Sequence, residues 1–521
     1  MASDTVDVVV VGGGVAGIAS AVSLAQRGLR VKLVESRPQL GGRARSWVDK
    51  ETKDPIHIGP HVVITEYPNF LKLLELLGTR GKLAWQPPRH FLTWVKGQQE
   101  YSLKTVPLPA PFSWGPAAIL DPLCPLEDKQ TMLGAVVKCL SLDEEGIMAL
   151  DDESGADFLR RCGVAENYIQ HFFAFCSHAI LNVPIEEVSA SALARFFRGL
   201  VSRSDMEMGF SDCGLGDLFT PAKDLLPSLG ASVVMGTEVE EFLGDSECTG
   251  VKLDTGDIVH AKLGVIATLP PPTLLPLLPA SWVEKHESIR NLEVLKPCKY
   301  ICVYIWFDRK VTGGRQMWAR AYSKKDLNCE FYDFSEIYSG TDATGVLWKD
   351  RPSFVGSNII DSGRVSDMTD EEIIEGTLKE MEEFYTDIRR AKVLRWRVNR
   401  VPMAIHRPVV GTEKLRPDQA SPVKGLYFAG CWTKTLFPGS MESAARGGFL
   451  AAERLLEHQS LGKEGDISLP YTELPLLGKM VGTLDYFPML QKLVYNTLVV
   501  VTPPFFEVVS RLMGQSPQSK L

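Results

Sequence analysis

A β-branched run, Asp7 to Val11, breaks abruptly into Gly12-Gly13-Gly14-Val15-Ala16-Gly17. A helical stretch from Ala16 to Arg27 follows, and then a second short apolar strand from Val31 to Val34. Strand, glycine turn, helix and strand in that order predict a βαβ unit with a parallel sheet. Three of the glycines have distinct work in such a turn. Gly12 makes the tight bend, Gly14 lets backbone approach a pyrophosphate, and Gly17 lets the helix lie close to the strand. The phosphates would then rest on the helix N-terminus, beside Val15 and Ala16. Glu35 ends the second strand, where an acidic side chain accepts the hydroxyls of a ribose and disfavours a 2′-phosphate.

The next residues separate one dinucleotide from another. Ser36 leads into Leu40-Gly41-Gly42-Arg43-Ala44-Arg45, two adjacent glycines followed by paired arginines. This is a second anion-binding turn, in which the Arg43 or Arg45 guanidinium neutralises a diphosphate that a helix terminus alone would leave charged. The expected cofactor is FAD.

Later segments look like pieces of the same doubly wound domain: Ala231 to Leu243, Val259 to Ala267, and Gly425 to Glu457. The expected fold is therefore α/β, a Rossmann-type cofactor domain of discontinuous segments (1–106, 205–290, 405–460). An inserted α+β substrate-binding domain takes 107–204, expected to be helical, and 291–404, which holds an aromatic-rich strand at Tyr300 to Phe307. Pro-rich Leu269 to Pro279 reads as a connector. Residues 461–521 form a tail with a strongly apolar part, 489–506, broken by Lys492, Asn496 and Pro503-Pro504. It reads as a docked helix or as an interfacial segment touching a membrane. No uninterrupted apolar run reaches the ~18 residues of a spanning helix.

A net charge of -8 argues against nucleic acid as a partner. The ten cysteines are scattered without a CxxC pair, so buried reduced thiols are expected rather than disulfides or a metal site. The glycine motif begins too near Met1 for a cleavable leader of the usual length. The chain closes on Ser519-Lys520-Leu521, the tripeptide read by the peroxisomal import receptor, which predicts a peroxisomal location.

The ordered set of the glycine motif, LGGRARS and Gly425-Leu426-Tyr427-Phe428-Ala429-Gly430 resembles the flavin-containing amine oxidase and carotenoid desaturase superfamily. Ile58 to Gly78, Val106 to Phe112, Val303 to Lys310 and Gly439 to Leu456 extend the resemblance, most closely to phytoene desaturases and hydroxysqualene dehydroxylases. The resemblance implies that Val239 meets the adenine by backbone and Arg43 the diphosphate. It implies that Gly430 and the segment through Met441 cover the ribityl chain and flavin, with His61 near the isoalloxazine as the candidate catalytic residue. The chain departs from the family pattern twice. Cys431 stands where an Asp usually bonds the flavin chain, and a thiol is a poorer acceptor. The stretch Met208 to Asp217 lacks the Arg that phytoene desaturases carry there.

The resulting expectation is an oxidoreductase dehydrogenating a long apolar substrate, an isoprenoid, polyene or unsaturated fatty-acid derivative, with oxygen or a quinone taking the electrons. The alternatives are a polyamine or amine oxidase, a redox-neutral double-bond isomerase, and a non-catalytic FAD-folded protein. Against the amine oxidase, Ile301 to Phe307 lacks the lysine which that branch commonly places there.

Overall fold

A computed structural model describes residues 3–96, 99–114, 124–320, 323–471, 474, 476–487 and 489–490. Most of the apolar 489–506 segment and the terminal Ser519-Lys520-Leu521 lie outside the described residues.

Two seven-stranded sheets carry the molecule. The first contains β1 (Ser3–Val11), followed by helix α1 (Val15–Ala25) and β2 (Val31–Glu35). The second begins with the hairpin β3 (His90–Lys96) and β4 (Gln99–Lys104), and helix α2 (Ala190–Val201) comes after it. The chain then returns to the first sheet with β5 (Ser232–Met235), β6 (Val239–Leu243), β7 (Gly250–Leu253) and β8 (Ile258–Ala267). Five strands of the second sheet follow: β9 (Tyr300–Phe307), β10 (Met317–Arg320), β11 (Glu330–Asp333), β12 (Phe354–Ile359) and β13 (Val393–Val401). Helix α3 (Asp370–Glu382) precedes β13, and β14 (Leu426–Phe428) with helix α4 (Met441–His458) completes the first sheet's layer.

The first sheet runs β5-β2-β1-β8-β7-β6, with β14 also on β8. Its centre is parallel: Val8 to Val11 pair with Val31 to Val34 on one side and with Gly264 to Ala267 on the other. Those β1 valines are fully buried, as expected of strands covered on both faces. The segments singled out in the sequence at 231–243, 259–267 and 425–457 all join this sheet or its covering helix, so the α/β assembly from distant pieces is real.

Helix α4 lies on α1 at glycine contacts. A Cβ at Gly448 would meet the Ala16 carbonyl oxygen at 2.3 Å, and the Ser20 hydroxyl donates to the Gly448 carbonyl at 3.0 Å. Close approach of two helices needs such absent side chains.

The second sheet runs β13-β9-β12-β11-β10-β3-β4. The hairpin at 90–104, grouped by sequence with the first cofactor segment, pairs instead through Ala319–Trp94 into this sheet. Its assignment changes because pairing partners, not local pattern, decide sheet membership. The helices of 126–201 cover one face of this sheet, and Trp94, Phe158, Tyr168, Phe173, Phe175 and Tyr304 meet in their shared core. Helix α3 covers the other face, fixed at its start by a capping box between Thr369 and Glu372.

Leu269 to Pro279 is not a bare connector. It forms helical turns over Pro271–Leu277, and Leu269, Pro270 and Thr273 reach the central cavity. The start of the tail is docked, with Ile467 and Ser468 N–H groups donating to Glu453 at 2.6 Å and Leu469 N–H donating to Asn69 at 2.7 Å. Among the described residues no helix is long and apolar enough to cross a membrane.

Candidate active site and cofactor cradle

One cavity of about 1130 Å³ runs from the glycine turn of the first sheet to the wall made by the second. Its first end is built largely of backbone. Gly12 has φ +103, a conformation only glycine adopts readily, and a Cβ there would meet Thr268 Oγ1 at 2.5 Å. Gly17 is packed so closely that a Cβ would lie 1.8 Å from the Gly12 carbonyl oxygen. Gly14 differs, because the nearest atom to a Cβ there is Gly42 Cα at 3.8 Å, which leaves open space in front of the turn. Gly14 is also the N-cap of α1 and supplies no side-chain cap, and no acidic residue occupies the first turn. Unused N–H groups and the positive helix end therefore face the cavity.

Gly41, at φ +105, and Gly42, at φ +59, close the other side, and the Gly41 N–H donates to the Gly13 carbonyl at 2.9 Å. Glu35 receives the Gly13 N–H at 2.7 Å and the Arg37 N–H at 2.9 Å, which fixes its carboxylate at the rim. Gly12, Gly14, Val15, Ala16, Glu35, Ser36, Gly41, Gly42 and Arg43 all line the cavity, as do Val239, Gly430, Cys431 and Met441 from distant segments. Gly17 alone among the expected cofactor residues stands behind the wall. These features suit FAD: a backbone cradle and helix terminus for a diphosphate, a guanidinium beside it, and an acidic residue at the strand end.

Arg43 donates to the Ala404 carbonyl and to Cys431 Sγ at 3.6 Å. That contact corrects the expectation of a weak, inert thiol at 431. Burial pushes the Cys431 thiol up, but the Arg43 guanidinium, His406 and Arg416 overcome it and bring its pKa down to about 6. Burial alone has the opposite result at Cys139, pushed above the ordinary range, and at Cys176 and Cys248, each pushed up to about 12. Position 431 is thus poised to be an anion, as the carboxylate of the family pattern would be. No disulfide joins cysteines among the described residues.

Behind Cys431 lies a buried charge network missed in the sequence. Arg416 donates to the Cys431 carbonyl at 3.0 Å and the Thr433 carbonyl at 2.7 Å, and pairs with Glu413 at 2.9 Å. Glu413 also pairs with Arg195 of α2 at 2.9 Å and lies 3.5 Å from His406. Burial would raise the Glu413 pKa, but Arg416, His406 and Arg195 hold it far below the carboxylate range. The network ties a helix of the second domain to the loop that carries Cys431.

His61 lines the cavity with Pro60, and its Nδ1 lies 2.7 Å from the Gly59 carbonyl. Burial lowers its pKa, so the imidazole is neutral, with Nδ1–H donating and Nε2 left as an acceptor. The far end of the cavity is walled by Phe91, Leu92, Phe175, Ile180, Met206 and Met317. Glu330, Tyr332 and Asn358 enter the same wall from β11 and β12. Burial pushes the Glu330 carboxyl up to about 7, against hydrogen bonds from Tyr332 and Asn358. An acidic residue in an aromatic run, Glu330-Phe331-Tyr332, was the available signal for this wall; Asn358 had none. Met208 reaches the cavity too, within an entirely buried strand, Met208–Ser211, that has no arginine.

A glycine-cradled dinucleotide site on a doubly wound sheet, continuous with a cavity walled by a second sheet, defines the class of flavoprotein oxidoreductases. The chain belongs to the flavin-containing amine oxidoreductase family, whose model matches residues 15–456. It is 28% identical over 477 residues to a 15-cis-phytoene desaturase of Narcissus pseudonarcissus, covering 87% of this chain and 80% of that protein. It is 25% identical over 477 residues to a 15-cis-phytoene desaturase of Synechococcus elongatus, with 87% and 96% covered. The fold matches a cyclohexylamine oxidase from Brevibacterium oxydans with a TM-score of 0.64 at 18% identity, over 87% of this chain and 99% of the other. The protein is an FAD-dependent oxidoreductase.

Proposed function

We propose that this oxidoreductase dehydrogenates a long apolar substrate, an isoprenoid, polyene or unsaturated fatty-acid derivative. The observation that carries the reading is the continuity of one cavity from the glycine cradle to the wall of Phe91, Phe175, Ile180, Met206 and Met317. The phytoene desaturase relatives support it. FAD, when bound, supplies the hydride acceptor, and oxygen or a quinone receives the electrons afterwards. The chain's part is placement and exclusion of water. Apolar walls hold an allylic C–H bond in line and keep the chamber dry, so positive charge developing along a polyene needs no strong base at the reacting carbon. His61, neutral and on the cavity wall, offers an acceptor nitrogen rather than a charge.

No lysine lines the cavity among the described residues, which speaks against an amine oxidase. Anaerobic addition of 15-cis-phytoene, an unsaturated fatty acid or spermine to the purified holoprotein, followed by flavin absorbance, tests the reading. Bleaching by either lipid and none by spermine is expected; bleaching by spermine alone would sink it.

The same proposal places the protein in peroxisomes through Ser519-Lys520-Leu521 and takes the apolar segment 489–506 as a peripheral membrane contact. The tail reading draws support from Leu476, Met480, Tyr486, Phe487 and Met489, apolar residues that precede or open this segment and are all largely exposed. A tagged chain lacking its last three residues should lose punctate organellar localisation; an unchanged distribution refutes the import signal.

A further inference from the structure

A chamber shaped for a pure hydrocarbon would have no use for hydrogen-bonding groups in its wall, yet this one has a cluster of them. Glu330 and Tyr332 are two residues apart on β11 and so project from the same face of the sheet. The register Phe331↔Ser357 and Tyr332↔Gly356 sets Glu330 opposite Asn358 on the neighbouring strand. All three line the cavity and all three are at least nine-tenths buried. The Asn358 amide is held in place, accepting from the Cys302 thiol at 3.1 Å and donating to the Pro60 carbonyl at 3.2 Å, next to His61. Tyr332 and Asn358 donate toward the Glu330 carboxyl, and no lysine or arginine is among the groups that set its charge. The cluster is buried, preorganised and, among the described residues, without a counter-ion.

Its chemistry selects what can sit against it. Two hydrogen bonds leave the Glu330 carboxyl and the Tyr332 hydroxyl oxygen with unused lone pairs, and an apolar surface would cover these without giving them a partner. An ammonium would pair with the carboxyl only in its ionised form, and burial holds that carboxyl toward the protonated one. A ligand carboxylate would meet a like group. An uncharged oxygen suits what is left: it accepts from the protonated carboxyl, and a hydroxyl also donates to a free lone pair of Glu330 or Tyr332.

We propose that the substrate is a long apolar molecule bearing a hydroxyl or carbonyl oxygen, and that Glu330, with Tyr332 and Asn358, binds that oxygen and determines specificity. This rests on the apolar-substrate reading above and narrows it: the chain takes an oxygenated molecule in preference to the parent hydrocarbon. The reacting C–H bond then lies at a fixed distance from the anchored oxygen, so the cluster also sets which bond meets the flavin.

The test is binding to the oxidised holoprotein, without turnover, using geranylgeraniol and the matched C20 hydrocarbon that lacks its hydroxyl, each delivered in the same detergent micelles. Perturbation of flavin absorbance reads out the dissociation constants. The alcohol should bind at least tenfold more tightly than the hydrocarbon. Glu330→Leu should bring the two within about twofold by weakening the alcohol, Tyr332→Phe should reduce the preference partway, and Glu330→Gln, which keeps hydrogen-bonding atoms, should retain most of it. FAD content of each variant, measured after release, confirms that it is folded and loaded; should Glu330→Leu fail to load, Tyr332→Phe and Glu330→Gln still decide the matter. Equal affinities in the natural protein, or a preference that Tyr332→Phe leaves intact, overturn the proposal while leaving the apolar reading in place. Binding of neither ligand overturns both.

Discussion

The two ends of the cavity are made of different material. At the first sheet the wall is backbone: Gly12, Gly14, Gly41 and Gly42 bring main chain to the surface, and α1 presents its uncapped N-terminus. At the second sheet the wall is side chain, with aromatic and aliphatic groups interrupted by Glu330, Tyr332 and Asn358. A backbone wall tolerates little change, since a Cβ at Gly17, Gly41 or Gly42 meets main chain that cannot rotate away. A side-chain wall can be rebuilt one residue at a time, and the fold keeps its cofactor chemistry constant while the far end sets the substrate.

The strongest test of this contrast is Gly17→Ala. A methyl group placed 1.8 Å from the Gly12 carbonyl must push α1 away from the turn, and the protein should be recovered without FAD and with a grossly lowered melting temperature. Retention of stoichiometric flavin would break the comparison. Next in size is Glu413→Gln, at the junction of the two ends. It leaves Arg195, Arg416 and His406 without their buried carboxylate, and a loss of about 3–5 kcal/mol in urea unfolding is expected. A loss under about 1 kcal/mol would mean that the network does not couple the domains.

The smallest expected effect, and the sharpest, is Cys431→Ser. The folded protein holds the thiol at about 6 against an ordinary value of 9, so the native state favours the thiolate. For a depressed pKa, the stabilisation is complete above the unfolded value and disappears as pH falls through the folded one. The stability gap between the natural protein and Cys431→Ser should therefore widen as pH rises from 6 to 9 and level off above it. Unfolding of the two proteins across that range, together with ultraviolet thiolate absorbance, checks this, and a gap independent of pH would return Cys431 to the status of an ordinary buried thiol.

The same contrast explains what could be read in advance. The cradle was legible because its demands are local: Gly12, Gly14, Gly17, Gly41 and Gly42 fall in two short stretches, and all but Gly14 are crowded by an atom close at hand. The resemblance carried Val239, Gly430 and Met441 to the same cavity from far along the chain. The second sheet was less legible because its order is written in pairings between strands as distant as Trp94 and Ala319. For that reason the hairpin at 90–104 was grouped with the wrong layer. Cys431 was located but its character was not, since that depends on Arg43 meeting His406 and Arg416 from more than 360 residues away along the chain. Glu330 and Asn358 become a site only when β11 and β12 lie side by side.

The glycine contact between α4 and α1 also has a consequence for how the protein comes into being. The ribosome delivers α1 among the first residues, but Gly448, which seats against Ala16, emerges hundreds of residues later. Gly430, Cys431 and Met441 arrive with it, so the cradle has an open side for nearly the whole of synthesis. FAD is therefore a ligand of the finished chain rather than of the nascent one, and the cell must shield a greasy, half-built β1 and α1 until the last tenth or so of the folded body has been translated.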